Sequence, residues 1–368
     1  MAKPATARQT AKGGKASKPL ARQVALVAGA TRGAGRGIAR ALGEAGALVY
    51  CTGRSVRGNP SPYKRPETIE ETAEMIEAGG GTAVALRVDH SVESEVEALV
   101  ERIDHEHGRL DVLVNSIAGE DPMMSQYGAF WKVDVTNADA IFRQAIVSHV
   151  ITAKHVAPLM IRRRRGLIVE VTENDALGAG GNPLSQTVKL GLKSLALNMA
   201  AELRTHGVAA VAITPGYLRS ESMLEGYGVT EDNWREAAKK DSNFLESESP
   251  LFVGRAVAAL AQDPDVLERT GQLLSSWSLA RAYGFTDYDG RRPDWGSLPL
   301  DFSMFPASFL GMYRTGLELQ LVWLTALAAH TSRWLARLPA SAAPGRRPST
   351  RRKKTSAAQD ERSAGGRR

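Results

Sequence analysis

A glycine-rich turn near the amino terminus has the residue types and spacing of a phosphate-binding site. The apolar run Val24–Ala28 is too short for a buried helix and ends at Gly29, so it predicts a strand covered on both faces. Gly33 and Gly35 follow, and apolar residues then recur at helical spacing from Ile38. Glycines let the backbone turn sharply and let a pyrophosphate approach the first N–H groups of the helix, where the helix dipole favours anions. The turn therefore predicts a bound dinucleotide.

The residue after the second predicted strand distinguishes between the two nicotinamide cofactors. In a dinucleotide fold the end of this strand, Leu48–Thr52 here, faces the adenosine ribose. NAD needs a carboxylate there for the ribose 2′-OH, whereas NADP needs a cation for the 2′-phosphate. The sequence offers Arg54, and Arg32 of the glycine-rich turn is able to close on the same phosphate. NADP is therefore the predicted cofactor, and the alternative is that both are solvated surface arginines.

Further motifs follow downstream at the spacing of one family. The turn reads Gly-x-x-x-Gly-x-Gly, Asp89 follows the third predicted strand, and the fourth ends in Asn-Ser-Ile-Ala-Gly, beginning at Asn115. With these motifs the chain resembles the short-chain dehydrogenase/reductase family, whose Asn-Asn-Ala-Gly segment is one residue shorter. The resemblance implies that Asp89 sits beside the adenine and that the Asn115 segment supports the sheet and lines the cofactor pocket. It also implies that Pro215, Gly216 and Ser220, which resemble the family's Pro-Gly-x-x-x-Thr stretch, hold the nicotinamide carboxamide.

Strands and helices alternate along the remaining chain, as in a parallel sheet with helices on both faces. Beyond the first two strands, five more are predicted, at residues 82–88, 110–114, 167–172, 208–214 and 271–275. We therefore expect an α/β fold, a doubly wound parallel seven-stranded Rossmann-type sheet, over residues 23–285, with a C-terminal helical extension. Residues 221–249, which we call the lid, occupy the family's variable substrate region and are predicted to hold a helix near Thr230–Lys240.

The resemblance also implies a catalytic stretch after the fifth strand. Family members place a Ser there, followed by a Tyr and a Lys that share one helix face at i and i+4. The phenol gives a proton to the carbonyl oxygen as hydride arrives, the Lys lowers the phenol's pKa and holds the nicotinamide ribose, and the Ser orients the carbonyl. In this chain Lys189 matches and Thr172 can supply the hydroxyl, but Ser185 replaces the Tyr. An aliphatic hydroxyl is a far weaker acid than a phenol, so Ser185 is a poor proton donor.

The missing phenol leaves two explanations open. Either another acid serves, with Glu173, Asp175, Tyr217 and Tyr227 as candidates able to lie near the cleft, or the reaction is lost and only cofactor binding persists. General acid catalysis contributes roughly 10²- to 10⁴-fold in rate, so a weak enzyme could survive without it.

A second departure lies in the helix predicted over residues 137–161. Family members commonly carry an Asn there that helps to relay protons, whereas in this chain Ala145 or a neighbour falls at that place. His90, which follows the third strand, is either a neighbour of the adenine or a surface residue. No metal site is predicted, because none of the seven histidines pairs in a ligand pattern and Asp287 and Asp289 before Gly290 indicate a turn.

These features predict an NADP(H)-dependent oxidoreductase that acts on a small-molecule carbonyl or alcohol substrate. The alternative is a catalytically impaired NADP(H)-binding or scaffold protein, because the proton-donating Tyr is absent. The expected catalytic residues are Thr172, Ser185 and Lys189. The expected cofactor-binding residues are Gly29, Thr31, Arg32, Gly33, Gly35, Arg54, Asp89, Asn115, Lys189, Pro215, Gly216 and Ser220.

Charge separates the ends of the chain from its middle. Residues 1–23 carry a charge of +6 and residues 345–368 carry +7, so with +7 for the whole chain the stretch between them carries −6. The folded part is therefore not expected to bind nucleic acid specifically. Both tails, taken as residues 1–22 and 339–368, lack the large apolar side chains needed to offset ordering entropy, so we expect disorder. The N-terminal tail has no apolar signal region, although an acid-free leader keeps an organelle-targeting role open.

The single cysteine and the apolar extension bear on location and partners. Cys51 stands alone, which excludes an internal disulfide and suits a reducing cytoplasm, and its place in a strand indicates packing. Residues 286–338 form the extension, and its longest charge-free run, Leu319–Ala329, is far short of the roughly 20 residues of a bilayer span. A helix packed on the domain or on a second subunit is favoured over weak contact with an anionic membrane surface. A homo-oligomer is expected.

Overall fold

Seven parallel strands form the centre of the protein, whose computed structural model describes residues 18–60, 64–118, 130–173 and 182–297. Their order across the sheet is β3-β2-β1-β4-β5-β6-β7. The direction of winding reverses between β1 and β4, so a crevice opens there at the carboxyl ends of the strands. The predicted doubly wound fold is confirmed. The strands are β1 (Val24–Ala28), β2 (Leu48–Gly53), β3 (Thr82–Arg87), β4 (Val112–Asn115), β5 (Gly166–Val171), β6 (Val208–Thr214) and β7 (Leu273–Ser275).

Helices cover both faces of this sheet. They are α1 (Gly33–Glu44), α2 (Ile69–Ala78), α3 (Glu93–His107), α4 (Ala138–Phe142), α5 (Ser148–Arg163), α6 (Pro183–Leu203), α7 (Glu221–Tyr227), α8 (Pro250–Gln262) and α9 (Ser276–Tyr283). Alternate residues of β1 point to opposite faces of the sheet. Ala25 and Val27 therefore join a core with α1 and α8, whereas Val24 and Leu26 join a core with α3 and α5.

Two glycines of the turn region are required by close backbone packing. A Cβ atom on Gly35 would lie 2.1 Å from the carbonyl oxygen of Gly29, which closes the turn on itself. A Cβ atom on Gly37 would lie 1.9 Å from the carbonyl oxygen of Pro250, at the start of α8. Any larger residue at these two positions would push α1 away from the turn or from α8, so part of the glycine pattern serves packing.

The structure differs from the sequence prediction in two helical regions. The single helix predicted over residues 137–161 is α4, a π-helical turn over Arg143–Val147, and α5. In the lid, the helix predicted near Thr230–Lys240 is a 3₁₀ helix over Trp234–Lys239, and an α-helix forms earlier, as α7. Burial of the Trp234 side chain in the lid outweighs helix propensity there.

The segment after α9 packs against the lid and its neighbours. Asp287 is fully buried and accepts hydrogen bonds from the backbone N–H and the hydroxyl of Ser249. The ring of Trp295 lies 5.2 Å from that of Tyr217. The turn predicted from Asp287 and Asp289 is observed, with the Gly290 N–H donating to the Asp287 carbonyl. Residues up to Ser297 therefore contribute to the same packed unit as the lid.

The amino-terminal end of the described chain is also held on the domain. Leu20, inside the stretch predicted as a tail, is buried, and its N–H donates to the Ala45 carbonyl at 2.9 Å. The prediction of a disordered tail is therefore wrong for residues 18–22, because Leu20, a single leucine in a polar stretch, is buried in the core. The predictions for residues 1–17, for Gly119 and Asp175, and for the extension and tail beyond Ser297 lie outside the described residues. No helix in the described ranges has the length and apolar character to cross a membrane.

Candidate active site

A pocket opens at the carboxyl ends of β1, β2 and β4, next to the point where the winding of the sheet reverses. Five of the predicted cofactor-binding residues lie together in its wall: Gly29, Thr31, Arg32, Arg54 and Asp89. The other lining residues are Gly53, Ser55, Val88, His90, Ser116, Ile117, Ala118 and Gln144. Ligands of open α/β sheets bind at such a position.

An anionic side chain occupies the amino terminus of α1. The Gly33 N–H donates to Glu221 Oε2 at 2.7 Å, and Arg36 Nη1 lies 3.3 Å from Glu221 Oε1. The helix has no capping side chain at Arg32 and no acidic residue in its own first turn. The carboxylate is thus an anion standing where the glycine-rich turn was predicted to bind a pyrophosphate, and the residues of the turn fit such a group.

Two guanidinium groups line the adenosine end of the pocket. Arg54 Nη1 lies 3.9 Å from Asp89 Oδ2, and Arg32 Nη1 lies 3.9 Å from Glu67 Oε2. Both distances exceed those of a hydrogen-bonded ion pair, which are below about 3 Å. Glu67 is held much more closely by Arg65, at 2.7 Å. The carboxylate neighbour of Arg54 therefore leaves room for a further anion beside that cation.

Asp89 and His90 are adjacent residues after β3, and the surroundings of their side chains differ in charge and burial. Burial works to raise the pKa of Asp89, but hydrogen bonds from Ser91 and the charge on Arg54 outweigh it and hold that pKa below its usual value. Burial lowers the pKa of His90 to about 3, and its ring bonds Thr52 and Thr152. His90 is therefore a neutral, buried residue in the pocket wall, and its interpretation as a surface residue is wrong.

A fully buried polar cluster supports the loop after β4. Asn115 Nδ2 donates to Glu170 Oε1 at 2.8 Å, and Glu170 Oε2 lies 2.5 Å from His149 Nδ1. His149 Nε2 donates to the carbonyl of Ile117 at 3.0 Å. Because Ile117 lines the pocket, the cluster fixes the loop from beneath. Asn115 thus supports the sheet and this loop, while its side chain stays out of the pocket lining.

Gln144 supplies an amide in the region where the family's Asn was missing. It lies in the π-helical turn, lines the pocket, and donates from Nε2 to the carbonyl of Ala118 at 3.2 Å. The sequence prediction placed Ala145 there and noted only an absence. A π-helical turn displaces side chains by a fraction of a turn, so counting residues along a regular helix does not identify the one that faces the pocket.

Lys189 forms an ion pair at the carboxyl end of β5. Its Nζ lies 3.2 Å from Glu173 Oε1, with the Lys189 side chain 12% exposed and that of Glu173 64% exposed. The Thr172 hydroxyl is buried and donates to the Lys189 carbonyl at 3.1 Å, so its hydrogen is used inside the protein. Ser185 lies in the first turn of α6, on the same helix as Lys189. Among the described residues, Glu173, beside the predicted Thr172, is a side chain that reaches the ammonium.

The two candidate tyrosines bond to each other. Tyr217 Oη lies 2.7 Å from Tyr227 Oη, and the two phenol oxygens lie 3.0 and 3.1 Å from Asp241 Oδ2, so the two phenol hydrogens are shared among these three contacts. Burial raises the pKa of Tyr217 well above its usual value, and the hydrogen bonds add to the effect. Both rings pack with Phe244. These phenols therefore anchor the lid, and Glu173 is the best placed of the candidate acids in the described residues.

The Pro215–Ser220 segment runs beside the glycine-rich turn. A Cβ atom on Gly33 would lie 3.6 Å from the Ser220 Cβ. The Ser220 hydroxyl caps α7 by accepting from the Met223 N–H, and the Gly216 N–H donates to the buried Glu248 Oε2 at 2.9 Å. The structure thus brings Ser220 to the turn, while the Gly216 N–H is committed to Glu248.

Comparison with known proteins identifies the family. A family model described as short chain dehydrogenase matches residues 23–227. Dehydrogenase/reductase SDR family member 1 of Mus musculus is 37% identical over 298 residues, which cover 80% of this chain and 91% of that protein. The chain belongs to the short-chain dehydrogenase/reductase family. Its sheet order and crevice are those of a family oxidoreductase, and the sequence-based family assignment is confirmed.

Solved structures of short-chain dehydrogenases/reductases share the fold. One from Mycobacterium thermoresistibile superimposes with a TM-score of 0.61 at 23% identity, covering 76% of this chain and 93% of that one. A metagenomic short-chain oxidoreductase in complex with NADP gives a TM-score of 0.52 at 27% identity, covering 67% of this chain and 94% of that one. As in other family members, a nicotinamide cofactor is expected in the crevice.

Several residues of the site escaped the sequence analysis. Gln144 directly precedes Ala145, so an amide next to the expected place of the Asn was an available signal in the sequence. Glu221 and Arg36 meet across 185 positions of sequence, and Glu170 reaches His149 across 21. No local sequence pattern predicts such contacts, because each of these side chains, taken alone, could equally be a solvated residue at the end of a helix or strand.

Proposed function

We propose that this protein is an NADP(H)-dependent oxidoreductase that interconverts a small carbonyl compound and the corresponding alcohol. The observation that carries the proposal is the pairing of Lys189 Nζ with Glu173 Oε1 at 3.2 Å. It provides a titratable group beside the lysine that, in this family, contacts the nicotinamide ribose. Glu173 is 64% exposed, so substrate and solvent protons have access to it.

The preference for NADP is supported by Arg32 and Arg54. Both guanidinium groups line one pocket, and the Arg54 guanidinium lies no closer than 3.9 Å to its carboxylate neighbour Asp89. A 2′-phosphate would offer them charge-assisted hydrogen bonds at shorter range. The related metagenomic oxidoreductase was solved with NADP, which agrees with this preference.

The chemistry divides between cofactor and protein. Bound NADP(H) supplies or accepts the hydride at the substrate carbon. In alcohol oxidation, Glu173 takes the hydroxyl proton as the C–H hydride departs, and in carbonyl reduction its acid form returns a proton to the oxygen. The Lys189 ammonium stabilises the carboxylate between these steps and orients it. Ser185 contributes a hydrogen bond without serving as the acid.

The proposal is tested by binding and turnover measured on the same preparation. We expect tighter binding of NADP⁺ than of NAD⁺ in calorimetric titrations, and NADPH oxidation above background with members of a panel of aldehydes and ketones. Lys189→Met should reduce kcat by about 10²-fold or more, because it removes the cation that orients both cofactor and carboxylate. Lys193→Met removes the same charge one turn further along α6 and should leave kcat within about twofold.

Two results would contradict the proposal. Equal affinity for NADP⁺ and NAD⁺ would remove the cofactor preference. Tight NADPH binding with no turnover across the panel would indicate the catalytically impaired binder instead. Recovery of turnover in Ser185→Tyr, with none in the wild type, would then show that the phenol is the missing group.

A further inference from the structure

Glu221 is held at the amino terminus of α1 by two donors from that helix. Its Oε2 accepts from the Gly33 N–H at 2.7 Å, and its Oε1 lies 3.3 Å from Arg36 Nη1. Arg36 is itself fixed, because its Nη2 donates to Glu71 at 2.7 Å and its Nε donates to the Thr31 carbonyl at 3.0 Å. Only 25% of the Glu221 side chain is exposed. The contact is therefore short, charge-assisted and largely shielded from solvent.

The position that Glu221 occupies is the one that a dinucleotide phosphate needs. The first N–H of a helix carries the positive end of the helix dipole and has no partner within the helix. In α1 the preceding residue, Arg32, provides no cap, and the first turn contains no Asp or Glu. One N–H cannot donate fully to two anions, and two anions at this distance repel each other. A bound pyrophosphate and the present position of Glu221 are therefore mutually exclusive.

Glu221 is also the first residue of α7, the α-helix of the lid. Ser220 caps α7, and further along the same helix Met223, Leu224 and Tyr227 pack with Trp234 and Phe244 of the lid. A carboxylate anchored at Gly33 thus ties the lid to the glycine-rich turn. Release of that carboxylate removes this tie, while the apolar contacts within the lid remain.

We propose that Glu221 is an internal substitute for the cofactor's pyrophosphate: its carboxylate docks the lid on the glycine-rich turn and must leave Gly33 when the cofactor binds. The proposal rests on the cofactor site of the proposed function and adds a residue that sets cofactor affinity. Binding of the dinucleotide then includes the cost of breaking the Glu221 contacts, which lowers apparent affinity by the corresponding factor. The displaced carboxylate frees α7 to adjust over the nicotinamide end of the site.

The test compares two isosteric variants on the same helix. Glu221→Gln retains a weak acceptor for Gly33 but removes the charge, whereas Glu225→Gln removes a charge one turn away, from a side chain that is 71% exposed and pairs with Arg65. NADP⁺ is titrated calorimetrically at low ionic strength into full-length protein. We expect Glu221→Gln to bind NADP⁺ about 5-fold tighter or more, as a helix-terminus charge permits, and Glu225→Gln to match the wild type.

Hydrogen exchange supplies a readout that needs no cofactor. In the unliganded protein, Glu221→Gln should raise amide exchange at Gly33 and across Glu221–Tyr227. Glu225→Gln should leave exchange at Gly33 unchanged. In the wild type, NADP⁺ should protect Gly33 while exchange in α7 increases. Equal or weaker NADP⁺ binding by Glu221→Gln, or unchanged exchange at Gly33 in that variant, would overturn the role of Glu221.

The outcome also separates this proposal from the proposed function. Binding of NADP⁺ by wild type and Glu221→Gln with one affinity leaves the cofactor site intact and refutes only the Glu221 substitution. Failure of both proteins to bind either NADP⁺ or NAD⁺ refutes the cofactor site and, with it, the Glu221 proposal. Binding by Glu221→Gln alone would support it most strongly.

Discussion

Two acid–base pairs near the end of β5 contrast in their surroundings. Glu170 lies in the strand and pairs with His149, and both side chains are fully buried. Glu173 follows the strand and pairs with Lys189, with its own side chain 64% exposed. Three positions of sequence thus separate a carboxylate enclosed by protein from one that is largely exposed.

The number of protein hydrogen bonds distinguishes these two carboxylates. Glu170 accepts from Asn115 and is bonded to His149, which in turn holds the Ile117 carbonyl. A buried group of this kind is costly to disturb, because its partners have no water to replace it. Glu173 is largely exposed and, within the described residues, pairs with Lys189, so loss of this contact leaves the core intact. Glu170 therefore supports the pocket wall, and the exposure of Glu173 agrees with the proton transfer proposed for it.

The largest effect expected from this contrast is on turnover. Glu173→Gln should lower kcat by roughly 10²- to 10⁴-fold, because the amide cannot exchange the substrate proton. Its denaturation midpoint should stay near that of the wild type, since the lost pair is exposed. Steady-state kinetics and urea titration measure the two quantities, with Glu202→Gln at the end of α6 as a charge-matched control. A stability loss as large as the activity loss would erase the distinction between the pairs.

The opposite pattern is expected at the buried pair. Glu170→Ala should reduce the free energy of unfolding by about 3 to 5 kcal/mol, because His149 and Asn115 lose a shared partner inside the core. Glu170→Gln, which keeps the volume and one acceptor, should cost less. Urea denaturation followed by circular dichroism gives both values. A wild-type-like stability of Glu170→Ala would show that the cluster is dispensable for folding.

Arginines extend the comparison to the cofactor end of the pocket. Arg219 is fully buried and bonds Glu231 and Ser247, whereas Arg54 pairs within the described residues only through a 3.9 Å approach to Asp89. Arg54→Gln should therefore weaken NADP⁺ binding about 10-fold and leave NAD⁺ binding nearly unchanged. Arg57→Gln, at an exposed residue of the same loop that pairs with Glu74, is the matched control. A parallel loss for both dinucleotides would mean that Arg54 does not contact the 2′-phosphate.

Glu248 is an intermediate case and gives the smallest effect. It is buried, its Oε2 accepts from Gly216 and Ser276, and burial raises its pKa to about 8. The folded protein therefore retains a proton that the unfolded chain releases at lower pH. This contribution to stability is complete below the unfolded pKa and is lost as the pH rises through about 8.

Thermal unfolding across the pH range tests this behaviour. Between pH 6 and pH 9 the wild-type Tm should fall by about 2 °C or more beyond any fall in Glu248→Gln, which cannot ionise. Glu246→Gln, two residues earlier in the chain, should retain the wild-type slope. Parallel curves for wild type and Glu248→Gln would show that Glu248 ionises without affecting folding.

Local patterns predicted the fold well for identifiable reasons. The strands Val24–Ala28 and Val208–Thr214 match residue for residue, because short apolar runs bounded by glycine, proline or polar residues have few alternatives. The helix at Pro250 was likewise predicted to its last residue, since proline is favoured in a first helical turn. The lid was predicted poorly, since its structure depends on Trp234, Phe244 and Arg219 meeting in space.

Site residues followed the same division. The glycine-rich turn, Arg32, Arg54 and Asp89 were identified by their places after strands, where the parallel sheet gathers chain ends at one edge. The predicted hydroxyl of Thr172 is one residue from Glu173, and the structure turns Thr172 to the Lys189 carbonyl and Glu173 to the Lys189 ammonium. Counting residues alone does not say which of two neighbours reaches the ammonium.

By itself, the sequence determined the parallel α/β architecture, the glycine-rich turn after β1 and the family. Each of these is encoded in residues close together in the chain, where periodicity, glycine and spacing act directly. Only the tertiary structure decided that Glu173 meets Lys189, that Gln144 faces the pocket and that Glu221 lies on Gly33. Those contacts depend on how helices and loops distant in sequence pack around the sheet, and side-chain chemistry alone does not specify that geometry.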